Sequence, residues 1–377
     1  MDISPELYGV MTGPLFLFLV AFSYLLHVMS TQSTYLDKLL HIKWAMVAYS
    51  GVTSVAVLIL GLVSDTWQAV VLLALVGVFS SGIVPAFSKQ VSRCFAPSQR
   101  ALAFSFFQTR IYFGRALASL SIFPAYYLGW RSAFFIVSGG GVLCCALSMF
   151  LLRNEATNHT SRLLEPNLLD KLGTLKNPTV LLVMLANLLR FSAGLARSFY
   201  EALYFAGQFP EHIHKYSVIN SLALLLCPFS LYLTGKLADR KEQTHNFKWL
   251  PLICSFTNVF CVPFVVLMYS TSSFELACLG LVVAFVVGET YSSVNISIVL
   301  NVTPKHMHAF ESGVLLCVSM TGGVVSCLVL GCLFKDLDSL RRGMLWVVVF
   351  GFAASGVCFF VTSFLYDRNR RLFVNAN

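Results

Sequence analysis

The sequence predicts an all-α membrane protein, and three observations support this fold class. Of the 377 residues, 57% are hydrophobic and only 11% are charged, and the mean hydropathy is +0.76, whereas about 25% of the residues in soluble domains are charged. Apolar stretches of about 20 residues, the length that crosses a bilayer as a helix, recur along the chain. Lys and Arg are concentrated in every second loop between these stretches.

Eleven stretches have the length and composition of a membrane-spanning helix. We place them at roughly residues 9–29, 44–63, 67–87, 101–127, 132–152, 179–204, 217–235, 249–270, 274–300, 311–334 and 343–366. The first is too long, and has too few basic flanking residues, to be a cleaved signal peptide. The eleven Cys lie in or beside the spans without metal-ligand spacing, so they are interpreted as packing residues with free thiols. No metal or cofactor is predicted.

The loop charges predict an orientation. One alternate set of loops, which includes the C-terminal tail, carries 17 of the 26 Lys and Arg, and the other set, which includes the N-terminus, carries 5. Cytoplasmic loops hold the excess of basic residues. The sequence therefore predicts a non-cytoplasmic N-terminus and a cytoplasmic C-terminus. The same distribution explains the net charge of +9 without a nucleic-acid partner.

The longest polar interruption, residues 153–178, divides the chain into two parts. It predicts an N-terminal bundle of five spans over residues 1–152, a cytoplasmic linker over 153–178, and a C-terminal bundle of six spans over 179–377. Within the linker, leucines recur at three- and four-residue steps, which favours a short amphipathic helix on the membrane surface over an unstructured connection.

A short basic turn follows the seventh span. Gly235, Asp239 and Arg240 form the pattern Gly-x-x-x-Asp-Arg, in which Gly permits close helix approach and the charged residues form contacts that hold two halves together. This turn and the layout resemble the major facilitator superfamily, whose members have two six-helix halves and this turn in each half. Here the first half is one span short, and its matching segment, residues 35–38, lacks the Gly. The resemblance implies a carrier with two bundles of five and six helices.

Scattered motifs make the chain most similar to the spinster branch of that superfamily, which is associated with the transport of sphingoid and lysophospholipid-type lipids. The residues that carry this resemblance are Gly77, Val78, Pro85, the run Pro97 to Arg100, Ser105, Gly114, the run Gly129 to Phe134, the run Leu175 to Thr179, Gly288, Glu289, Pro304, Gly322, Ser326 and Gly331. The branch usually has ionisable residues where this chain has Leu73, Ser80, Ser319 and Gly323. The usual proton coupling is therefore not expected.

The charge that remains within the spans is concentrated in span 179–204. At 100° per residue, one helical stripe holds Asn187, Arg190, Arg197, Glu201 and Tyr204. An Arg exposed to lipid near the membrane centre costs about 3 kcal/mol or more, so this stripe must face protein or water. In the fold that the resemblance implies, the helix lines the central cavity. Arg190 and Arg197 would then bind an anionic head group, unless Arg197 and Glu201, at i and i+4, only neutralise each other.

Two other spans contain charged residues. Arg110 and Arg115 are about 140° apart on one helix, so they cannot both face one cavity, and we expect one to be anchored by a neighbour. Glu289 has no charged residue within one turn, so it is either protonated in an apolar setting or paired with an Arg of another helix. It is the candidate for carrying a coupled proton.

These observations predict a secondary transporter for an amphipathic anion, such as a lysolipid or a sphingoid phosphate, that works by alternating access. Two alternatives stay open, namely a small polar organic-anion or sugar carrier of the same superfamily and a non-transporting structural or regulatory membrane subunit. No nucleophile-elbow, Walker, HExxH or paired-carboxylate pattern is found, so no enzyme activity is predicted. The expected partners are the solute and the lipid bilayer.

Overall fold

The structure, a computed structural model, describes residues 42–80, 88, 91, 94–151, 173, 175–304, 307–333 and 336–376. The predicted first span at 9–29, the turn at 35–38, Pro85 and most of the predicted linker helix lie outside the described residues. In the described part the chain forms α-helices joined by short turns and three one-turn 3₁₀ helices. The all-helical fold class is therefore confirmed.

The helices follow one another along the described chain. Their bounds are Ile42–Leu60 (α1), Thr66–Ser80 (α2), Arg100–Leu120 (α3), Ile122–Leu128 (α4), Trp130–Leu151 (α5), Pro178–Gln208 (α6), Ile213–Gln243 (α7), Trp249–Ser270 (α8), Phe274–Val286 (α9), Tyr291–Asn301 (α10), His308–Leu333 (α11) and Leu337–Ala376 (α12). The 3₁₀ turns are Pro97–Gln99, Pro210–His212 and Gly288–Thr290.

Seven segments of the described chain are long and apolar enough to cross a membrane. They are Trp130–Leu151, Pro178–Gln208, Pro210–Gln243, Trp249–Ser270, Phe274–Asn301, Phe310–Cys332 and Leu337–Leu372. The shorter helices α1 and α2 are also apolar. Large side chains such as Phe150 and Trp346 are 85% and 72% exposed, as expected of a surface that faces lipid.

Two predicted spans are not continuous helices. The span predicted at 101–127 ends as α3 at Leu120, and α4 begins after Ser121, because Pro124 has no N–H to donate to the preceding turn. The span predicted at 274–300 is interrupted by the turn Gly288–Thr290 between α9 and α10. Irregular backbone at membrane depth is tolerated only where protein or a cavity surrounds it, and Gly288 and Thr290 are buried.

The C-terminal helices form the core around α6. Helix α6 packs mainly against α11 and α12, and α12 also packs against α8. Helix α6 begins cleanly because Pro178 occupies its first turn and the Asn177 side chain accepts a hydrogen bond from the Thr179 N–H at 3.0 Å. Towards the N-terminus, α1 packs against α2 and α5, whereas α3 packs chiefly against α7 and α10. Helix α3 thus connects the two predicted bundles.

Candidate substrate-binding site

The polar stripe predicted on α6 is buried in the protein. Exposure is 3% or less for all five of its residues, namely Asn187, Arg190, Arg197, Glu201 and Tyr204. This burial agrees with the expectation that the stripe faces protein rather than lipid. Whether these side chains bind a solute stays a prediction, and their hydrogen bonds differ from one residue to the next.

Arg190 is held by three acceptors from two other elements. Its Nε donates to Asn258 Oδ1 at 2.9 Å, and its Nη2 donates to the Gly288 carbonyl and to Glu289 Oε1, both at 3.0 Å. The Phe352 ring centroid lies 3.9 Å from its guanidinium carbon. Of the two environments considered for Glu289, the structure therefore shows the ion pair with an Arg of another helix.

The break between α9 and α10 supplies part of this arrangement. The Gly288 carbonyl that accepts from Arg190 lies in the turn between the two helices. Hydroxyl groups satisfy neighbouring carbonyls of the break, with Thr290 donating to Val287 O at 2.6 Å and Ser292 donating to Glu289 O at 2.8 Å. A Cβ on Gly288 would lie 2.9 Å from the Phe352 ring, so this position requires glycine.

Tyr112 connects the same ion pair to α3. Its hydroxyl donates to Glu289 Oε2 at 3.1 Å, and it is buried. Glu289 therefore accepts from Arg190 on α6 and from Tyr112 on α3, which belong to different predicted bundles. Tyr112 was not predicted, because a Tyr in an apolar span carries no local signal of its partner.

Arg197 has fewer partners than Arg190. Its Nε donates to Glu201 Oε2 at 3.0 Å, which is the i, i+4 pair considered in the sequence analysis. Its Nη1 and Nη2 are buried and have no hydrogen-bond partner in the described part of the chain. The Phe285 ring centroid lies 4.2 Å from its guanidinium carbon. The buried Tyr269 hydroxyl faces this group, likewise without a partner at hydrogen-bonding geometry.

The remaining residues of the stripe are satisfied by protein groups. Tyr204 donates to the Met268 carbonyl at 3.3 Å. Asn187 donates to the Val183 carbonyl at 2.8 Å and accepts from Asn295 Nδ2 at 2.6 Å. These bonds join α6 to α8 and α10 and leave Arg197 as the residue of the stripe with unpartnered donors.

The two Arg residues of α3 have different surroundings. Arg110 is exposed and lies over the Phe107 ring of its own helix, 4.0 Å from the centroid. Arg115 is half-buried and lies 5.1 Å from the centroid of Phe285, the ring that Arg197 also contacts. The structure therefore places Arg115, and not Arg110, beside the charged residues of α6.

The motif of Gly235, Asp239 and Arg240, predicted as a turn after the seventh span, lies within helix α7, which continues to Gln243. It joins α7 to α3. Asp239 Oδ1 accepts from the Ala101 N–H at 3.1 Å and Oδ2 accepts from the Leu102 N–H at 3.0 Å, so its carboxylate caps the N-terminus of α3. A Cβ on Gly235 would clash with Ser105 Oγ, which shows how closely the two helices approach. Arg240 is exposed. Contact between the predicted halves is thus made by Gly235 and Asp239.

A second polar cluster beside this motif was not predicted. Arg100 Nη1 donates to the Leu300 carbonyl and to Asn301 Oδ1, both at 3.0 Å. Arg370 donates to Glu242 Oε1 at 2.8 Å and to the Asn301 carbonyl at 2.8 Å. The four side chains, those of Arg100, Glu242, Asn301 and Arg370, come from four segments that were predicted to be cytoplasmic. Because these segments are far apart in the sequence, no local pattern predicts the cluster.

Comparisons with known proteins agree with this architecture. The family model described as Major Facilitator Superfamily matches residues 2–327. An MFS-type efflux pump of Mycolicibacterium smegmatis is 22% identical over 328 residues, which cover 82% of this chain and 74% of the pump.

Several solved structures of transporters have a similar fold, and their names refer to different solutes. A bacterial homologue of the human lysosomal transporter Spinster, in an inward-facing and unoccupied conformation, has a TM-score of 0.64 and 16% identity over 99% of this chain and 90% of its own. The human organic anion transporter MFSD10 (TETRAN) has a TM-score of 0.63 and 10% identity over 96% and 83%. The nucleoside transporter NupG has a TM-score of 0.64 and 13% identity over 98% and 93%.

Proposed function

Since the chain belongs to the Major Facilitator Superfamily, we propose that it moves an amphipathic anion, such as a lysolipid or a sphingoid phosphate, by alternating access. Family and fold indicate an integral multi-pass membrane transporter. What we propose beyond this is the chemistry of the solute, with an anionic head and an apolar tail, and the residues that bind it.

The observation that supports an anionic solute is the state of Arg197. A guanidinium group that is 1% exposed, with two nitrogen atoms that have no partner among the described residues, is costly in a membrane protein. A carboxylate or phosphate oxygen would satisfy both donors at once, and Arg suits such acceptors better than Lys. We propose that the head of the solute binds on the stripe of α6 that contains Arg190 and Arg197, with Asn187, Glu201 and Tyr204 beside it.

The tail of the solute would lie among apolar side chains. Phe285 and Phe352 contact the guanidinium groups of Arg197 and Arg190 respectively. The spinster-like residues of the chain and the fold shared with the Spinster homologue support a lipid-like solute. The fold shared with an organic anion transporter supports the alternative, a small polar organic anion.

Alternating access would be a rocking motion of two bundles, residues 1–152 and 179–377, joined by the linker over 153–178. Gly235 and Asp239 would hold the bundles together on the cytoplasmic side while the other side opens. Arg240 would contribute charge at the membrane surface. The orientation proposed here has a non-cytoplasmic N-terminus and a cytoplasmic C-terminus.

The proposal is tested by uptake into liposomes that contain the purified protein. We expect saturable uptake of a radiolabelled lysophosphatidylglycerol, inhibited by acylated anions and not by the head group glycerophosphoglycerol alone. Equal inhibition by the head group would favour the small-anion carrier. Liposomes that move neither class of anion would refute the proposed solute.

A proton role for Glu289 is a further part of the proposal. The ion pair with Arg190 keeps a carboxylate within reach of Tyr112 on the other predicted bundle, so protonation of Glu289 would weaken a contact between bundles. We expect Glu289→Gln to flatten the pH dependence of uptake. An unaltered pH profile in this variant would exclude the proton role.

A further inference from the structure

Arg115 brings a second guanidinium group to Arg197 from the other predicted bundle. Its guanidinium carbon lies 5.1 Å from the Phe285 ring centroid and that of Arg197 lies 4.2 Å from the same point, so at most 9.3 Å separates the two carbons. Arg115 has no hydrogen bond or ion pair with any residue that the structure describes. Its charge is therefore not neutralised by a direct contact.

The charges around these two residues do not balance. Five charged side chains of the described chain interact electrostatically here, namely Arg115, Arg190, Arg197, Glu201 and Glu289. Glu289 is paired with Arg190 and Glu201 with Arg197, each at 3.0 Å. Three guanidinium groups and two carboxylates leave one positive charge, which is that of Arg115. Inside a protein, where charges are screened less than in water, such an excess attracts an anion strongly.

We infer that Arg115 and Arg197 together bind one monoanionic group, a carboxylate or a phosphodiester, beside the ring of Phe285. The inference rests on the proposed function, and it adds a binding residue from the N-terminal bundle and the charge of the ligand head. The unpartnered Nη1 and Nη2 of Arg197 supply two hydrogen-bond donors, and the Tyr269 hydroxyl that faces them supplies a third. Arg115 supplies the charge that the monoanion neutralises.

This arrangement explains how a ligand would couple the two bundles. Arg115 lies on α3 and Arg197 on α6, so an anion bound to both would draw the helices together. Each Arg alone could bind an anion without moving the other bundle. Because Arg115 is half-buried and Arg197 fully buried, the ligand would meet Arg115 first.

The test is equilibrium binding to the purified full chain in detergent, with lysophosphatidylglycerol, its zwitterionic analogue lysophosphatidylcholine, the head group glycerophosphoglycerol and laurate as probes. We expect Arg115→Gln to weaken binding of the anionic lysolipid and of laurate at least tenfold, and to weaken binding of the zwitterion less, because its ammonium group offsets the charge of the phosphodiester. Arg115 has no polar partner to lose among the described residues, so this variant should fold. Arg110→Gln, on the same helix and exposed, is the matched control and should bind like the wild type.

The outcomes separate the inference from the proposed function. If the wild type binds anionic lysolipids and Arg115→Gln binds them equally well, the inference is wrong and the proposed function stands. If only the head group and other small monoanions bind, and Arg115→Gln weakens them, the inference stands and the lipid-like solute is wrong. If no monoanionic probe binds the wild type, both are wrong. Arg197→Lys keeps the charge and loses the fork of donors, so an unchanged affinity in that variant would also contradict the inference.

Discussion

Arg190 and Arg197 lie seven residues apart on one face of α6, yet they have different surroundings. Arg190 donates to an amide oxygen, a backbone carbonyl and a carboxylate. Arg197 donates to one carboxylate of its own helix and retains two buried nitrogen atoms without partners in the part of the chain that the structure describes. Although both residues lie on the same stripe, the described residues satisfy the donors of Arg190 and leave two nitrogen atoms of Arg197 without acceptors.

The difference originates in the neighbouring helices. Arg190 faces the break between α9 and α10, where the Gly288 carbonyl and Glu289 accept from it. Arg197 faces the continuous part of α9, where Phe285 offers only its ring. At the break, backbone and side-chain acceptors both reach the cation, whereas α9 presents only an aromatic ring to Arg197. From this comparison we propose that Arg190 stabilises the fold in addition to its part in the site, and that Arg197 supplies the hydrogen-bond donors for the head group.

The largest expected effect concerns replacement of each ion pair by apolar residues. Replacing both Arg190 and Glu289 by Met should destabilise the protein by about 3 kcal/mol, because Asn258, the Gly288 carbonyl and Tyr112 would lose their partners. Replacing both Arg197 and Glu201 by Met should be neutral or stabilising by about 1 kcal/mol, because it removes two unpartnered donors together with the pair. Thermal unfolding in detergent measures both variants. Equal destabilisation would contradict the comparison.

Much of the fold, and part of the difference between Arg190 and Arg197, could be predicted from the sequence. Span lengths and loop charges predicted the helices, and the 100° periodicity predicted that the polar residues of α6 would be buried together. Breaks at Ser121 and at Gly288–Thr290 were not predicted, because apolar composition continues through both. The choice between Arg110 and Arg115, and the partner of Glu289, depend on which helices are neighbours in space. Periodicity within one helix does not contain that information.

An intermediate effect is expected from replacing each Arg by Lys. In Arg190→Lys the new ammonium group is a compact cation that cannot reach all three acceptors, so this variant should lower stability by about 1 kcal/mol and leave the KM for lysophosphatidylglycerol uptake nearly unchanged. Arg197→Lys keeps an ion pair with Glu201 and loses donors that have no partner among the described residues. It should leave stability nearly unchanged and raise the KM about tenfold, which corresponds to about 1.4 kcal/mol. A KM raised as much in Arg190→Lys as in Arg197→Lys would show that the head group depends equally on both guanidinium groups.

The smallest expected effect comes from the two tyrosines that donate to these carboxylates. Tyr112 donates to Glu289 at 3.1 Å, whereas Tyr216 lies 3.5 Å from Glu201, at the limit of a hydrogen bond. Tyr112→Phe should therefore lower the free energy of unfolding by about 1 kcal/mol, and Tyr216→Phe by a few tenths. Both substitutions remove one hydroxyl from a buried ring, so each serves as the control for the other in thermal unfolding. A larger loss in Tyr216→Phe would mean that Glu201, and with it Arg197, is held as firmly as the pair at Arg190.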